Sequence, residues 1–439
     1  MDEHHTIWLK TLPESSETPD LTKSVCLIDH PIKSQKKDSK KKERIKHYEK
    51  GYRGILIRLL LTFGCISYYG LSLLPGDIRL YRRKLKEMQQ EGIVELLRNN
   101  HKKLARLYHF DALYEKYIPA LPLGYYGHYN KYCRTNHQKT ASTEKGGTSA
   151  NRVIKGAEIV QMMCGAGIAV FPDLKPSLLS IDTIPAHTIC YYTMAELRDY
   201  NPFNFKMGPQ DTRKNIIASR ALGLYLSPGG KYVIYHTGKT AMFWNEASEG
   251  QMRYYISYFV NSLCENPHMQ GTADNCIIIG NDMDVFVKIF TGTGRTINLQ
   301  NGYAHKYAIP LNHNGQKMLH RMSRPGWRER LIQEILTDYE LVSEGYISGI
   351  ECDGQKDNRV AFCFCDGDIS RLKRFLNALA WNYSDKANQY ELYCYDYQLD
   401  FVRAVIPADT KIKLIVKGDL DDNRDESTHK ADDFFIQPE

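Results

Sequence analysis

The 439-residue chain has no Cys-x-x-Cys pair and no regular cysteine spacing, although eleven cysteines are scattered through it. An odd, unpatterned set argues against a disulfide-stapled scaffold or a zinc ribbon and fits a reduced, cytoplasmic protein. Cys363 and Cys365, on a predicted strand, are expected to face opposite sides and so not to share a metal. The opening MDEHHTIWLK lacks a basic region followed by an apolar one, so no secretory leader is expected. A membrane-length apolar run is also missing. Leu59 to Gly76 is uncharged over 18 residues, the lower limit for a span. Gly64, Ser67, Gly70 and Ser72 interrupt it and Pro75-Gly76 ends it, which predicts two short helices and a turn, with no membrane association.

Familiar active-site signatures are missing as well. HTGKT resembles the end of a phosphate-binding loop, but Val233 stands where backbone amides need a glycine. FTGTGR lacks the full dinucleotide fingerprint, and no His-x-His triplet is present for a rolling-circle nickase. Tyr254 and Tyr258 stand four apart, the spacing of one helix face, and are expected to pack. A restriction-type nuclease core would need a strand-borne carboxylate-x-lysine; the middle of the chain offers Glu158, Glu246 and Glu249 without that signature. Asp366-Gly367-Asp368, with Glu351 and Asp353, could gather carboxylates around Mg²⁺ at strand ends. The same residues read better as a turn in which Asp368 caps the helix ISRLKRF. No catalytic residue, metal ligand or cofactor is assigned.

What the chain does have is positive charge concentrated near its start. Lys33 to Arg53 holds ten Lys/Arg against three Asp/Glu, and Asp77 to Arg106 holds nine against four. The whole chain is only +7, so the remainder is net acidic. This asymmetry points to a polyanion-binding end on a near-neutral body.

Hydrophobic content of 42% supports real cores, and the length suits about three domains. Residues 1–45 read as a basic, solvated arm. In GYRGILIRLLLTF, Ile55, Leu56, Leu59, Leu60 and Phe63 form one helical stripe. Asp77 is placed to cap a third helix whose Ile78, Tyr81, Leu85 and Met88 point inward. Arg79, Arg82, Arg83 and Lys86 fall opposite, with Lys84 beside them, and Gly92 stops the helix. IVELL and KLARLYHF then predict a hairpin with Arg98, Lys102 and Lys103 at its turn.

Helix, helix, basic helix, hairpin is a winged helix-turn-helix order over 46–120. The third helix would enter the major groove and the hairpin would touch flanking phosphates. Residues 121–152 read as a linker, 153–311 as a mixed α/β domain and 312–338 as a helical connector. A smaller α/β domain with parallel strands follows at 339–417, then an acidic tail at 418–439. The expected fold is thus mixed α/β: an N-terminal winged helix followed by two α/β domains.

The segments GYRGILIRLLLTFG and LYRRKLKEMQQEGIVEL resemble the winged helix of replication-relaxation family proteins of bacterial plasmids and integrative conjugative elements. SRALGLYLSPGGKYVIYHTG and FCDGDISRLKRF resemble blocks in other mobile-element proteins of that architecture. The resemblance implies a double-stranded-DNA-binding protein acting in replication, mobilisation or transcriptional regulation. Arg79, Arg82, Arg83, Lys84 and Lys86 would grip the groove, and Arg98, Lys102 and Lys103 would anchor the wing. Lys36, Lys37, Lys40, Lys41 and Lys42 would add nonspecific attraction. Homodimer formation is left open, and a metal-dependent nickase or degenerate nuclease is the alternative reading.

Overall fold

The apolar run GYRGILIRLLLTF forms α1, Gly51–Phe63, and Gly64, with a left-handed φ of 93°, ends it. The computed structural model describes residues 51–99, 102–108, 124–134, 136, 148–178, 183–200, 219–240, 245–265, 269–292, 302–343, 345–347, 349–381, 388–408 and 410–418. Lys36, Lys37, Lys40, Lys41 and Lys42 lie outside these residues, as does the acidic tail beyond Gly418. α1 is buried from Arg53 to Phe63 on every side, not along a single stripe. Next come β1, Cys65–Ser67, and a 3-10 turn, Tyr69–Leu73, where the sequence predicts a second short helix. The reason is non-local. Ile66 pairs with Ala105 in an antiparallel ladder, which takes up backbone groups that a helix would have satisfied internally.

α2, Ile78–Gln90, follows the predicted periodicity. The Asp77 carboxylate accepts the Arg79 amide at 2.8 Å, and Tyr81, Leu85 and Met88 are fully buried. Gly92, at φ 70°, turns the chain into β2, Val94–Asn99, which pairs antiparallel with β3, Lys102–Leu107. The small sheet has the order β1-β3-β2.

The stretch expected to be a linker is folded where it is described. α3, Gly124–His128, and a π turn, Tyr129–Cys133, bury Tyr125, Tyr129, Tyr132 and Cys133. Arg58 on α1 donates to the Tyr125 hydroxyl at 2.6 Å, and His128 Nε2 donates to the Thr62 carbonyl at 2.9 Å. These partners explain why α1 has no solvent face. α4, Thr148–Gly165, begins before the expected Val153.

The central sheet is built from β4, Cys190–Thr193, α5, Met194–Tyr200, β5, Gly223–Ser227, and β6, Gly230–Gly238. It continues through α6, Glu246–Leu263, β7, Asn275–Gly280, α7, Asp284–Thr291, and β8, His305–Pro310. The strand order is β4-β5-β6-β7-β8; the first three strands are antiparallel, and β6, β7 and β8 are parallel. β4 is not anticipated by the sequence reading, and the expected strand at 241–244 lies outside the described residues. Alternation sets the layers. Ile277 and Ile279 share one cluster with α1 and α4, while Cys276 and Ile278 share the other with Phe259 of α6 and Phe286 of α7. The expected boundary near 153 therefore does not divide the core, since a single buried cluster includes Leu60, Ile159, Ile277 and Ile309.

Beyond β8 come α8, His313–Arg321, α9, Trp327–Ile335, β9, Glu340–Leu341, β10, Tyr346–Ile347, and β11, Ile350–Glu351. The last unit continues with β12, Gly354–Lys356, β13, Arg359–Cys363, α10, Ile369–Trp381, β14, Gln389–Tyr395, α11, Leu399–Val405, and β15, Ile412–Lys417. Its sheet runs β15-β14-β13-β12-β9, with β13, β14 and β15 parallel as expected. Cys363 and Cys365 enter the same cluster, whereas Phe362 and Phe364 enter the other. Residues two apart on extended chain share a face, so the expectation of opposite sides is corrected. The Ala308 amide donates to the Gly367 carbonyl at 2.8 Å, joining β8 to this unit. The fold is mixed α/β. Among the described residues no helix is long and apolar enough to cross a membrane.

Candidate nucleic-acid interface

Arg79, Arg82, Arg83 and Lys86 are all exposed on α2, opposite the buried Tyr81, Leu85 and Met88. The mounting beneath them is rigid. The Tyr81 hydroxyl donates to the Pro75 carbonyl at 2.8 Å, and its ring meets Tyr52 edge-on at 4.8 Å. Burial pushes the Tyr81 phenol far above its ordinary range, so it remains a neutral donor.

The acids around the helix have partners of their own. Asp77 caps α2, and Glu91 receives both nitrogens of the buried Arg53 fork at 2.8 and 2.6 Å. Glu95 is bound by Arg106. Glu87 takes Lys84 at 2.7 Å and stands 3.8 Å from Arg83. Lys84 is thus half-buried and turned along its own helix, which sets it apart from the outward cations. Among the described residues Arg79, Arg82 and Lys86 make no ion pair. Pairing the local acids leaves net positive potential on this face.

Lys103 on β3 is exposed. Arg98 pairs with Lys103, and Asn99 with Lys102, across the hairpin; the side chains of Arg98 and Lys102 and the turn itself lie outside the described residues. Two exposed aromatics stand near these elements and were missed by sequence reasoning: Tyr69 in the 3-10 turn, 46% exposed, and Tyr108 after β3, 52% exposed. Only their position within the polar-flanked elements could have singled them out.

The carboxylates considered for nuclease chemistry do not converge. Glu158 on α4 is fully buried, receiving the Ser67 hydroxyl at 3.1 Å and lying 2.9 Å from His236 Nε2. Glu249 on α6 accepts the Ser219 hydroxyl, the Arg220 amide and the Tyr235 hydroxyl, each at 2.8 Å, and burial pushes its carboxyl up. α4 and α6 contribute to different clusters on the two faces of the sheet, so these two acids cannot share one ion. Glu246 is exposed in the first turn of α6. Tyr254 and Tyr258, expected to pack, are 73% and 42% exposed, because Tyr255, Ile256 and Phe259 turn inward in their place.

The acidic group of the last unit has cationic partners supplied by the protein itself. Arg371, 1% exposed, donates to Glu351 at 2.7 Å, Asp353 at 2.6 Å and Asp366 at 3.1 Å. Arg328 reaches Asp366 at 3.1 Å and Arg374 reaches Glu351 at 2.8 Å. Asp368 caps α10 through the Ser370 amide at 3.0 Å and lies 2.6 Å from His305 Nδ1. Burial pushes the Asp366 carboxyl up against the pull of the arginines. At Asp368 burial acts the same way, but the His305 bond and charge more than offset it. A guanidinium therefore occupies the centre that a divalent ion would need. Among the described residues no group of three or more His, Cys, Asp or Glu side chains is arranged to hold a metal.

Comparison of the chain with protein-family models, with curated proteins and with solved structures returns no match.

Proposed function

We propose that residues 51–107 act as a winged helix-turn-helix and that the protein binds double-stranded DNA through α2. The observation that carries this reading is the outward cationic face of α2, Arg79, Arg82, Arg83 and Lys86, set on a helix that buries Tyr81, Leu85 and Met88 on its other side. Guanidinium groups on a rigid helix suit both phosphate oxygens and guanine edges in the major groove, and the β2–β3 hairpin would lie along the flanking backbone. The lysines at 36, 37, 40, 41 and 42 would add a salt-sensitive, sequence-independent term. Lys84, engaged by Glu87, would contribute less than its neighbours.

The resemblance to replication-relaxation proteins gives this binding a setting: replication, mobilisation or transcriptional regulation of a mobile element. A twofold homodimer would read half-sites one helical turn apart, about 34–36 Å. The nickase or nuclease reading has less support, because Glu158, Asp353 and Asp366 are buried and bound by His236, Arg371 and Arg328.

Fluorescence anisotropy with a labelled random duplex tests binding itself, and genome-wide mapping of bound DNA tests the role. Salt-dependent binding together with a small number of occupied loci is expected. No binding to any duplex at low salt would remove the reading.

A further inference from the structure

The 3-10 turn between β1 and α2 carries an aromatic side chain outward on a clamped backbone. Ahead of it β1 is fastened to α4, where the Gln161 side chain accepts from the Ser67 amide at 2.9 Å. The backbone at Gly70 lies so close to α4 that a Cβ there would stand 2.5 Å from Gln161 Oε1. At the end of the turn the Leu73 carbonyl accepts from Gln316 of α8 at 2.5 Å. Tyr69, whose carbonyl accepts the Ser72 hydroxyl at 2.9 Å, is nonetheless 46% exposed. A single exposed tyrosine is ordinary on a protein surface. This one is set apart by its mount and by its neighbours.

Tyr68 places the turn beside two outward cations. Its amide donates to the Lys103 carbonyl at 2.9 Å, and the Lys103 side chain is exposed on β3. Burial raises the half-buried Tyr68 phenol, and the charge of the exposed Arg82 on α2 partly offsets that rise. The Tyr69 phenol is raised by burial, by the enclosed Glu158 and by Asp282, which is exposed just after β7. The surface thus runs from cations on α2 and β3, past an exposed ring, to a carboxylate. A phosphate is favoured at the first end and repelled at the last. The N–H edge of an unpaired base suits a carboxylate, and its π face suits a tyrosine ring. Bases inside a duplex offer neither, because their faces are stacked and their pairing edges are taken.

We propose that Tyr69 is a stacking platform for an unpaired base adjoining the duplex held by α2, with the phosphate of that nucleotide toward Arg82 and Lys103. The proposal rests on the DNA-binding reading and narrows its substrate to duplex with a single-stranded tail, as at a fork or a melted end.

Fluorescence anisotropy of the full chain with three labelled DNAs tests it: a blunt duplex, the same duplex with a short adenine tail, and that duplex with an abasic tail of equal length. The tail stands at the 3′ end in one series and at the 5′ end in another. The abasic tail controls for the added phosphates. In one series the adenine tail should tighten binding about fivefold or more over the abasic tail, the worth of one base–aromatic stack. Tyr69→Phe should keep that gain. Tyr69→Leu, which stays apolar but has no π face, should lose it, as should Tyr69→Ala. Equal affinity for adenine and abasic tails in both series overturns the inference, and so does a gain that survives in Tyr69→Leu. Where the blunt duplex is still bound, the DNA-binding reading stands without the platform; no binding to any of the three DNAs removes both.

Discussion

The Glu158 carboxylate and the Ser67 hydroxyl meet at 3.1 Å in the interior, fastening β1 to α4. The fastening is doubled by Gln161, which accepts from the Ser67 amide at 2.9 Å and donates to its carbonyl at 3.1 Å. On its far side Glu158 lies 2.9 Å from His236 on β6. One buried chain of polar groups therefore runs from the small sheet beside α2 to the central sheet, and the basic helix is presented by a firmly anchored body.

Replacing Arg82 and Arg83 together by alanine should weaken duplex binding and reduce the slope of log affinity against log salt by roughly one to two units. Both side chains are exposed, so thermal stability should hardly change. Anisotropy at several salt concentrations decides it, and unchanged affinity removes α2 from the interface.

Arg371→Met should be severe. It leaves Glu351, Asp353 and Asp366 short of a buried cation. Stripping one partner from a buried ion network costs about 3–5 kcal/mol. Urea unfolding measures this. A loss below about 1 kcal/mol would mean that Arg328 and Arg374 suffice without it.

His128 predicts an acid-side loss of stability. Burial holds its imidazole below the ordinary 6.5, outweighing the Glu196 charge that would raise it. The unfolded chain therefore takes up that proton at a higher pH than the folded one. The stabilising difference is complete above about 6.5 and is lost as pH falls through the folded value, with a slope of at most about 1.4 kcal/mol per pH unit. Glu196, also held low, acts in a separate, more acidic window, about pH 4 and below. His128→Gln should flatten the stability curve between about pH 7 and 5; an unaltered curve would show that His128 is not its source.

Gly165→Ala should destabilise by about 1–3 kcal/mol or more, because its Cβ would stand 1.8 Å from the Leu73 carbonyl oxygen. Gly127→Ala serves as the control: nothing lies within 4 Å of a Cβ there. Equal melting temperatures for the two variants would show that the 3-10 turn yields freely to α4.

α2 is legible in the chain because its signals are local: an acid at the cap, apolar residues at three- and four-residue steps, a glycine at the end. The β2–β3 hairpin and the parallel β13–β14–β15 sheet are legible for the same reason. Residues 65–73 are not, since β1 exists only through its ladder with β3, some forty positions away in sequence. Tyr125, Tyr129 and Tyr132 look like linker residues until α1 provides a surface to bury them. Tyr254 and Tyr258 have helical spacing, but spacing cannot say which rotation of α6 faces the sheet.

The candidate site divides in the same way. The sequence by itself determined a mixed α/β fold and a cationic helix face, because helix periodicity and charge are written residue by residue. Tertiary structure alone decided which charges stay outward. Arg53, Arg328 and His236 meet Glu91, Asp366 and Glu158 from distant segments, and burial favours those pairings, whereas among the described residues Arg79, Arg82 and Lys86 stay exposed and make no ion pair.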